Sequence, residues 1–400
     1  MSDAYFPFPL CFTFFGLGER LQLRTLARRW RQELEASRCD ADSCGFAALG
    51  RAAEKGLSTL CWRLLRMGAD VNAPSRQDDL TPLMCAVFGG QLETLDILLR
   101  SRADVNQQNN TKCTALMLAA DLGYQCLLRR LLFAKADVTL QAGDSTTALT
   151  SAAQKGHSEV VEELLQLGQE KSSLADALWW AAEYGHACIV ERLFHYNVDL
   201  NMVSEDGAGS AGGKALRIAA HKNKGDVIQA LLRGRADVNA TSANGFGALA
   251  VACQYGSDRV AHTLLASSAD VNARALNGRT PLMIACTFGH SMVVEELLRF
   301  LADVHMRDRE QNTPLLLAAQ SGHTRIIEAL LRRNAEVNAM GQCGWTALNL
   351  AASFGHLAAV RSLLVSRADV QICDEAQETP EMAALASGHM EIVKLLNEFR

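Results

Sequence analysis

The stretch TPLMIAC at residues 280–286 decides the fold, because it returns as TPLLLAA at residues 313–319. Each copy is followed by a Gly-His pair, a run of paired aliphatic residues and an Ala-Asp-Val or Ala-Glu-Val segment. The residue in the Leu282 position recurs at 49, 83, 116, 149, 178, 216, 249, 282, 315, 348 and 381. Most of these eleven anchors are 33 residues apart, with compensating spacings of 29 and 38 around 149 to 216. Self-similarity at a fixed period predicts stacked structural repeats.

Each repeat predicts two short helices. The first runs from Thr147 to about Lys155 in the fourth repeat and buries Leu149, Ala152 and Ala153. The second carries Val160, Val161, Leu164 and Leu165 on one apolar face. Between them stands a residue suited to a left-handed helix end, in the eleven repeats Gly56, Gly90, Gly123, Gly156, Gly185, Asn223, Gly256, Gly289, Gly322, Gly355 and Gly388. Helices this short are marginal alone, so their stability must come from stacking.

These motifs resemble the ankyrin-repeat family, which has the same period and a T-P-L-H-x-A motif, over residues 45–400. The resemblance implies an all-α solenoid of about eleven helix-turn-helix repeats with short turn fingers. We therefore expect an ankyrin-repeat array over 45–400, irregular around 166–214, after an N-terminal segment of residues 1–44.

A second glycine usually ends the second helix in this family, but the chain mostly lacks it. The position holds Gly68, Arg102, Lys135, Gly168, Asn197, Arg235, Ser268, Leu301, Asn334 and Arg367. If the backbone is left-handed there, each bulky residue costs on the order of 1 kcal/mol. One interpretation is sequence drift, softened because cations favour a helix C-terminus. The other is a basic row that contacts a partner.

Three polar positions recur along the repeats. Six histidines share the Gly-His slot, namely His157, His186, His290, His323, His356 and His389. The resemblance implies that they form hydrogen bonds between repeats, and residues one repeat apart are too distant to share a metal ion. The aspartates of the Ala-Asp-Val segments are Asp70, Asp104, Asp137, Asp237, Asp270, Asp303 and Asp369. We expect them to accept bonds from turn amides; Asn72, Asn106, Asn239, Asn272 and Asn338 match the position that asparaginyl hydroxylases modify in ankyrin-like proteins.

The Gly/Ser-rich insertion at residues 205–214, EDGAGSAGGK, predicts a mobile loop. It is not a phosphate-binding loop, because Ala208 and Ala215 replace the required glycine and hydroxyl residue and no strand precedes it. No nucleophile-base grouping stands out either. We expect no enzyme activity, cofactor, metal or small-molecule substrate.

Composition narrows the partner class. The net charge of −5 disfavours nucleic acid, since non-specific affinity for it depends on clustered Lys and Arg. The 12 cysteines show no paired spacing and predict reduced thiols in the cytoplasm or nucleus. No segment predicts a membrane span. We expect a monomer that binds a protein.

Candidate contact residues lie where ankyrin-like proteins bind, at the end of the first helix and in the turn before it. Large apolar residues precede the first-helix glycine at Leu122, Tyr184, Tyr255, Phe288 and Phe354, and the turns hold Phe246, Arg279 and Trp345. Aromatic and Arg side chains dominate binding hot spots. We predict a partner-binding surface of Tyr184, Phe246, Tyr255, Arg279, Phe288, Trp345 and Phe354. The alternative is that the aromatic rings only pack between adjacent repeats.

Trp179 and Trp180 form a second cluster with Tyr184. Trp180 lies at an inward-facing position of the first helix, so packing in the core is an alternative to contact with a partner.

The N-terminal segment predicts an amphipathic helix over residues 19–38, rich in arginine. One interpretation is a cap on the first repeat, which solenoids need. A basic amphipathic helix can also bind a membrane surface or a calmodulin-like groove. Residues 9–34, PLCFTFFGLGERLQLRTLARRWRQEL, are weakly similar to the end of an F-box, without its usual Leu-Pro start.

Two functions follow. The first is a protein-protein interaction scaffold that binds its partner on the concave face of the repeats. The alternative is a substrate-recognition adaptor of a ubiquitin ligase, which would recruit the ligase through the F-box-like segment.

Overall fold

The structure is a computed structural model that describes residues 41–74, 79–168, 170–196, 198, 200–201 and 209–399. These residues form 22 α-helices and no strand, which confirms the all-α class. None of these helices combines the length and the apolar character that crossing a membrane requires. The predicted N-terminal helix and the F-box-like segment lie outside the described residues.

The helices form two compact units, residues 1–145 and 146–400. The first contains α1 Ala41–Glu54, α2 Ser58–Arg66, α3 Pro82–Phe88, α4 Leu92–Arg100, α5 Ala115–Leu122 and α6 Gln125–Phe133. The second contains α7 Ala148–Lys155, α8 Ser158–Leu165, α9 Lys171–Tyr184, α10 Ala187–Phe194, α11 Ala211–His221, α12 Gly225–Arg233, α13 Ala248–Tyr255, α14 Asp258–Ala266, α15 Pro281–Phe288, α16 Ser291–Arg299, α17 Pro314–Gln320, α18 Thr324–Arg332, α19 Ala347–Ser353, α20 Leu357–Val365, α21 Pro380–Ala386 and α22 Met390–Glu398. Odd-numbered helices are the first helices of the repeats, and even-numbered helices are the second.

Stacking follows the same rule inside each unit. Each first helix packs on the first helix of the next repeat, and each second helix on the next second helix. Ala152, Ala153, Val160 and Val161 are at most 1% exposed, as the sequence predicts. Small residues on the first helices let their backbones approach, while the aliphatic pairs on the second helices fill the core behind them.

The first helices begin in a sequence-specific way. In α15 the Thr280 hydroxyl accepts a hydrogen bond from the Met283 backbone N–H at 3.3 Å, and Pro281 occupies the first helical position. A hydroxyl cap satisfies a backbone donor that the helix cannot, and proline there removes no helical hydrogen bond. The recurring Thr-Pro pair is therefore a helix start.

Both predicted helix-end positions are left-handed wherever the structure describes them. Gly156 has φ 85° and Gly289 has φ 81°, and Asn223 adopts φ 54° without being glycine. At the second position Arg235 has φ 64° and Leu301 has φ 63°. The condition for backbone strain at these bulky residues is thus met; Asn197, in the same position, lies outside the described residues.

The prediction of a loop over residues 205–214 is wrong for its second half. Residues 211–214 form the first turn of α11, and the Ser210 hydroxyl caps it by accepting the Gly213 N–H at 3.1 Å. A Cβ at Gly212 would lie 2.9 Å from Leu200 Cβ, and one at Gly213 would lie 2.7 Å from Ala240 Cβ. These glycines allow close packing rather than a turn.

Candidate functional site

Four aromatic residues occupy one repeat position in the unit of residues 146–400. Tyr184, Tyr255 and Phe288 end α9, α13 and α15, and Phe354 immediately follows α19. Their side chains are 48–51% exposed. We call these four residues the aromatic row. Because successive first helices pack side by side at about 8–10 Å, Tyr255 and Phe288 are neighbours in the row.

Each ring of the row is held on one side. Tyr255 lies against His221 of the preceding first helix, with ring centroids 4.2 Å apart. Phe288 stacks on His290 at 6.5 Å, and Phe354 on His356 at 6.4 Å. Half of each ring therefore packs on the repeats while the other half faces solvent. The rings contribute both to padding and to an exposed surface, so neither of the two sequence interpretations excludes the other.

Tyr184 is held by residues of its own and the preceding repeat. Its ring centroid lies 6.0 Å from that of Trp180, and its hydroxyl accepts a hydrogen bond from the Gln154 side-chain amide at 3.2 Å. Trp180 in turn is only half-buried, and its ring meets Trp179 edge-on at 4.8 Å. The second cluster is therefore partly accessible.

The Gly-His histidines connect neighbouring repeats next to the aromatic row. In five of them Nε2 lies within hydrogen-bond distance of a first-helix carbonyl in the preceding repeat: His186 with Gln154 at 3.0 Å, His290 with Gln254 at 3.0 Å, His323 with Thr287 at 3.3 Å, His356 with Gln320 at 3.0 Å and His389 with Ser353 at 3.1 Å. Because a carbonyl only accepts, Nε2 is the donor. This confirms the expected bridging role for these five residues.

The three turn residues are more deeply set than the aromatic row. Phe246, Arg279 and Trp345 are all half-buried. The Arg279 side chain is 30% exposed, and its Nε lies 3.5 Å from an oxygen of buried Asp308. Asp308 also accepts the backbone N–H groups of Glu310 and Asn312 at 2.9 and 2.8 Å. Arg279 therefore links two neighbouring turns, whatever it contacts outside them.

The aspartate and asparagine rows form one ladder. All seven aspartates accept the backbone N–H two residues on: Asp70, Asp104, Asp137, Asp237, Asp270, Asp303 and Asp369, at 2.8–2.9 Å. This confirms the expected turn role. Asn272 Oδ1 then accepts the N–H of Asp303 in the next repeat at 3.0 Å, and Asn72, Asn106, Asn239 and Asn338 repeat this bond. The asparagine amides are thus engaged between turns.

A groove of about 440 Å³ opens between α9, α11, α13 and the turn before α13. It is lined by Trp179, Lys214, Arg217, Ile218, His221, Ser242, Asn244, Phe246, Val251, Gln254 and Tyr255. The structure thus brings Phe246 and Tyr255 into one site. Sequence reasoning missed Lys214, Arg217 and His221 because it placed their segment partly in a loop. Their spacing of three and four residues is typical of one helix face and would have identified them.

Two observations describe the His, Cys, Asp and Glu side chains of the described residues. No group of three or more His, Cys, Asp or Glu side chains there could hold a metal ion. Burial raises the pKa of the Cys61 thiol to about 12 and raises that of Cys253 and Cys286 as well. These buried cysteines stay protonated and pack as small apolar residues.

A comparison with protein families supports this architecture. A family model described as ankyrin repeats (3 copies) matches residues 49–142, 116–204, 178–275, 249–341 and 333–399. The overlapping matches extend from residue 49 to residue 399. This bears out the resemblance read from the Thr-Pro-Leu and Gly-His motifs, together with the repeat-solenoid class.

Proposed function

Because the chain belongs to the ankyrin-repeat family, we propose that it is an interaction scaffold that binds a protein partner on the concave face of its repeats. Ankyrin repeats generally mediate protein-protein interaction, and proteins built from them are typically non-enzymatic scaffolds. The observation that carries the proposal is the aromatic row. The partner-binding residues are the row together with Phe246, Arg279 and Trp345.

Physical chemistry supports this assignment in two ways. Aromatic side chains bury a large area at little cost in rotamer entropy. Rings that already pack against a histidine, or that a hydrogen bond to their hydroxyl holds in place as in Tyr184, lose still less conformational entropy on binding. Tyr255 and Phe288 stand in adjacent repeats, and Tyr184 and Phe354 each lie two repeats further along on either side, so that a partner lying across several first helices contacts several rings at once. Exposed apolar side chains in such an arrangement are typical of an interaction surface.

The test is affinity capture from native lysate, quantified by mass spectrometry. One bait is the full chain, and a second carries Tyr255→Ala, Phe288→Ala and Phe354→Ala. A matched control carries Met292→Ala, Leu301→Ala and Val365→Ala, three apolar residues on or next to second helices that are 61–80% exposed. We expect a partner that both the wild type and the control retain and the first variant loses. If all three baits retain the partner, the aromatic row does not bind it. If both variants lose the partner, the loss is not specific to the aromatic row and the binding site is not located there.

The adaptor function rests on a different observation, the F-box-like residues 9–34. A bait that lacks residues 1–40, and so keeps all of α1 (Ala41–Glu54), addresses it. Selective loss of ubiquitin-ligase linker subunits, with the other partners retained, would favour the adaptor. Retention of every partner would favour the scaffold alone.

A further inference from the structure

The second helices of the unit of residues 1–145 end in exposed basic side chains. These are Arg66 and Arg100, the last residues of α2 and α4, and Arg102 and Lys135, the left-handed residues that follow α4 and α6. None of the four side chains forms an ion pair with a described residue. The aspartates two residues beyond the left-handed positions are engaged with the turns, since Asp104 and Asp137 accept turn amides at 2.9 and 2.8 Å.

Equivalent arginines in the unit of residues 146–400 have carboxylate partners. Arg233 ends α12, and its Nη1 lies 2.5 Å from Glu191 Oε1. Arg299 ends α16, and its Nη1 lies 2.6 Å from Glu296 Oε1. Attraction to the helix C-terminus favours a cation at this position in both units. It does not explain why the arginines that end α2 and α4 stand without a carboxylate among the described residues.

Three exposed apolar side chains lie on or beside the same helix ends. Phe133 is the last residue of α6 and is 85% exposed, while Trp62 of α2 and Met67 after it are 47% and 54% exposed. The Arg66 guanidinium lies 4.4 Å from the centre of the Trp62 ring, a cation-π contact that places charge and ring together. A ring as exposed as that of Phe133 lines no groove and projects from the surface. The helix dipole explains none of these apolar side chains.

The charged and apolar side chains share one edge of three neighbouring helices. α4 packs against both α2 and α6, and packed helices lie about 8–10 Å apart. Because the repeats are stacked copies of one unit, residues at equivalent positions lie side by side. Arg66, Arg100 and Phe133 share one position, and Arg102 and Lys135 share another. We call the following residues the cationic edge: Trp62, Arg66, Met67, Arg100, Arg102, Phe133 and Lys135.

We propose that the cationic edge binds the surface of an anionic lipid bilayer. Its arginines and lysine lie at the level of the lipid phosphates and carboxylates, and Phe133, Trp62 and Met67 insert among the headgroups and upper acyl chains. Basic side chains attracted to an anionic leaflet and aromatic side chains at the membrane interface are the two groups that such contacts use. Membrane contact through this edge is independent of the aromatic row, which belongs to the other unit.

A lipid surface suits this edge better than an acidic protein or a nucleic acid does. A rigid protein partner needs a pocket for each projecting side chain, whereas lipid headgroups rearrange around Phe133. Single-stranded nucleic acid binds where rings stack on bases along a positively charged groove, and Phe133 lines no groove. The net charge of −5 does not prevent contact, because charges more than about 8 Å from the bilayer are largely screened at physiological salt.

Co-sedimentation of the full chain with vesicles tests the proposal. One vesicle preparation is pure phosphatidylcholine, and the other contains about 30% phosphatidylserine, which supplies the negative surface potential. We expect the chain to sediment with the second preparation only. High salt should weaken this binding because it screens exposed charges. Equal sedimentation with both preparations would overturn the proposal.

Charge variants locate the binding. The double variant Arg100→Gln, Arg102→Gln should lower the vesicle partition coefficient about thirtyfold, since each cation near an anionic surface contributes about fivefold. The matched control Arg233→Gln, Arg235→Gln removes two arginines from the same repeat positions at the end of α12 and should leave the coefficient nearly unchanged. Circular dichroism melting curves verify that the variants are folded. Equal losses in the two double variants would overturn the assignment to the cationic edge.

An apolar variant tests insertion separately from charge. Phe133→Ser should lower the partition coefficient about tenfold, because the exposed ring no longer leaves water on binding. Val365→Ser is the matched control, since Val365 occupies the equivalent position at the end of α20 and is 73% exposed. We expect no loss in the control. If Phe133→Ser binds vesicles as tightly as the wild type does, the ring does not insert and the proposal is wrong.

Two soluble probes represent the other anionic partners. A labelled oligoglutamate peptide and labelled single-stranded oligo-dT are titrated against the full chain and against Arg100→Gln, Arg102→Gln. We expect neither probe to displace the chain from phosphatidylserine vesicles. If a probe binds while the vesicles do not, and loses affinity in the double variant, the edge binds that class of partner and the lipid proposal is wrong. The scaffold function stands in that case, because it depends on Tyr255, Phe288 and Phe354.

Discussion

Both helices of a repeat end at a left-handed residue wherever the structure describes that residue, but the two positions accept different side chains. At the end of the first helix all eleven positions have φ between 54° and 92°, and ten of them hold glycine. At the end of the second helix the nine described positions have φ between 61° and 92°, yet only Gly68 and Gly168 are glycine. Backbone conformation alone therefore does not explain where glycine is found.

The neighbouring side chain explains the difference. A Cβ at Gly256, Gly289 or Gly322 would lie 2.5 Å from the histidine ring of the next repeat. A Cβ at Gly68 or Gly168 would meet no atom within 4 Å. Where a histidine of the next repeat covers it, as at Gly156, Gly256, Gly289, Gly322 and Gly355, the first position needs glycine both for its angle and for the space that the ring takes, whereas the second needs it only for its angle. A left-handed angle costs about 1–2 kcal/mol, which single positions of a long array can bear.

The largest loss of stability is expected from a substitution at the end of a first helix. Gly289→Ala should lower the free energy of unfolding by about 3 kcal/mol, because left-handed strain adds to a clash with His323. The measurement is the urea midpoint followed by circular dichroism, and hydrogen exchange of α15 to α18 should locate the loss.

Gly168→Ala is the matched control. It adds the same methyl group at a left-handed glycine of the same unit, but into open space, and should cost only about 1 kcal/mol. Equal losses in Gly289→Ala and Gly168→Ala would contradict the role of the histidine.

A double-mutant cycle sharpens the comparison. His323→Ala alone should cost about 1 kcal/mol, since it removes the hydrogen bond to the Thr287 carbonyl. In the Gly289→Ala background the same change should cost less or even stabilise, giving a coupling of about 1–2 kcal/mol. Strictly additive urea midpoints would show that the Cβ and the ring do not compete for space.

The periodic part of this architecture could be read from the sequence. The Leu282-type anchors, the Thr-Pro helix starts and the Gly/Asn helix ends all depend on local geometry, and α7 ends at Lys155 as its pattern predicts. The insertion was misread because Gly212 and Gly213 suit a loop by composition. They lie in a helix because Leu200 and Ala240 pack against them, which is a tertiary contact.

A smaller effect of opposite sign is expected at the second position. Leu301→Gly and Arg235→Gly should each raise stability by about 0.5–1 kcal/mol, the relief of left-handed strain less the extra entropy of glycine in the unfolded chain. The Leu301 side chain is 80% exposed, so little packing is lost. The check is the thermal melting temperature; an unchanged or lower value would refute strain at these sites.

The smallest change in stability is expected when the arginines at the second-helix ends are replaced. Arg235→Ser and Arg367→Ser keep a non-glycine residue, as Ser268 does naturally, and should cost about 0.3–1 kcal/mol each at low salt. The loss should shrink in high salt if the arginines act on the helix C-terminus. If instead stability is unchanged while capture of the partner falls, the basic row is a contact surface.

The candidate site was only partly readable from sequence. The positions of Tyr255 and Phe288 follow from the repeat register, so their shared face could be expected. The pairing of Arg279 with Asp308 could not, because it depends on how one turn meets the next. The basic face of α11 was missed for another reason, since part of its segment was assigned to a loop although its spacing is that of one helix face. Repeat registers predict rows of residues, whereas grooves between rows come from the packed structure.

Site-specific photo-crosslinking tests the central claim, that the aromatic row is the partner-binding face. Benzoylphenylalanine is placed in the full chain at Phe288, in the row, or at Met292, which is 61% exposed on the second helix α16. Each variant is irradiated in native lysate and its adducts are identified by mass spectrometry. The account predicts a protein adduct at 288 that is absent at 292. An adduct at 292 with none at 288 would contradict it.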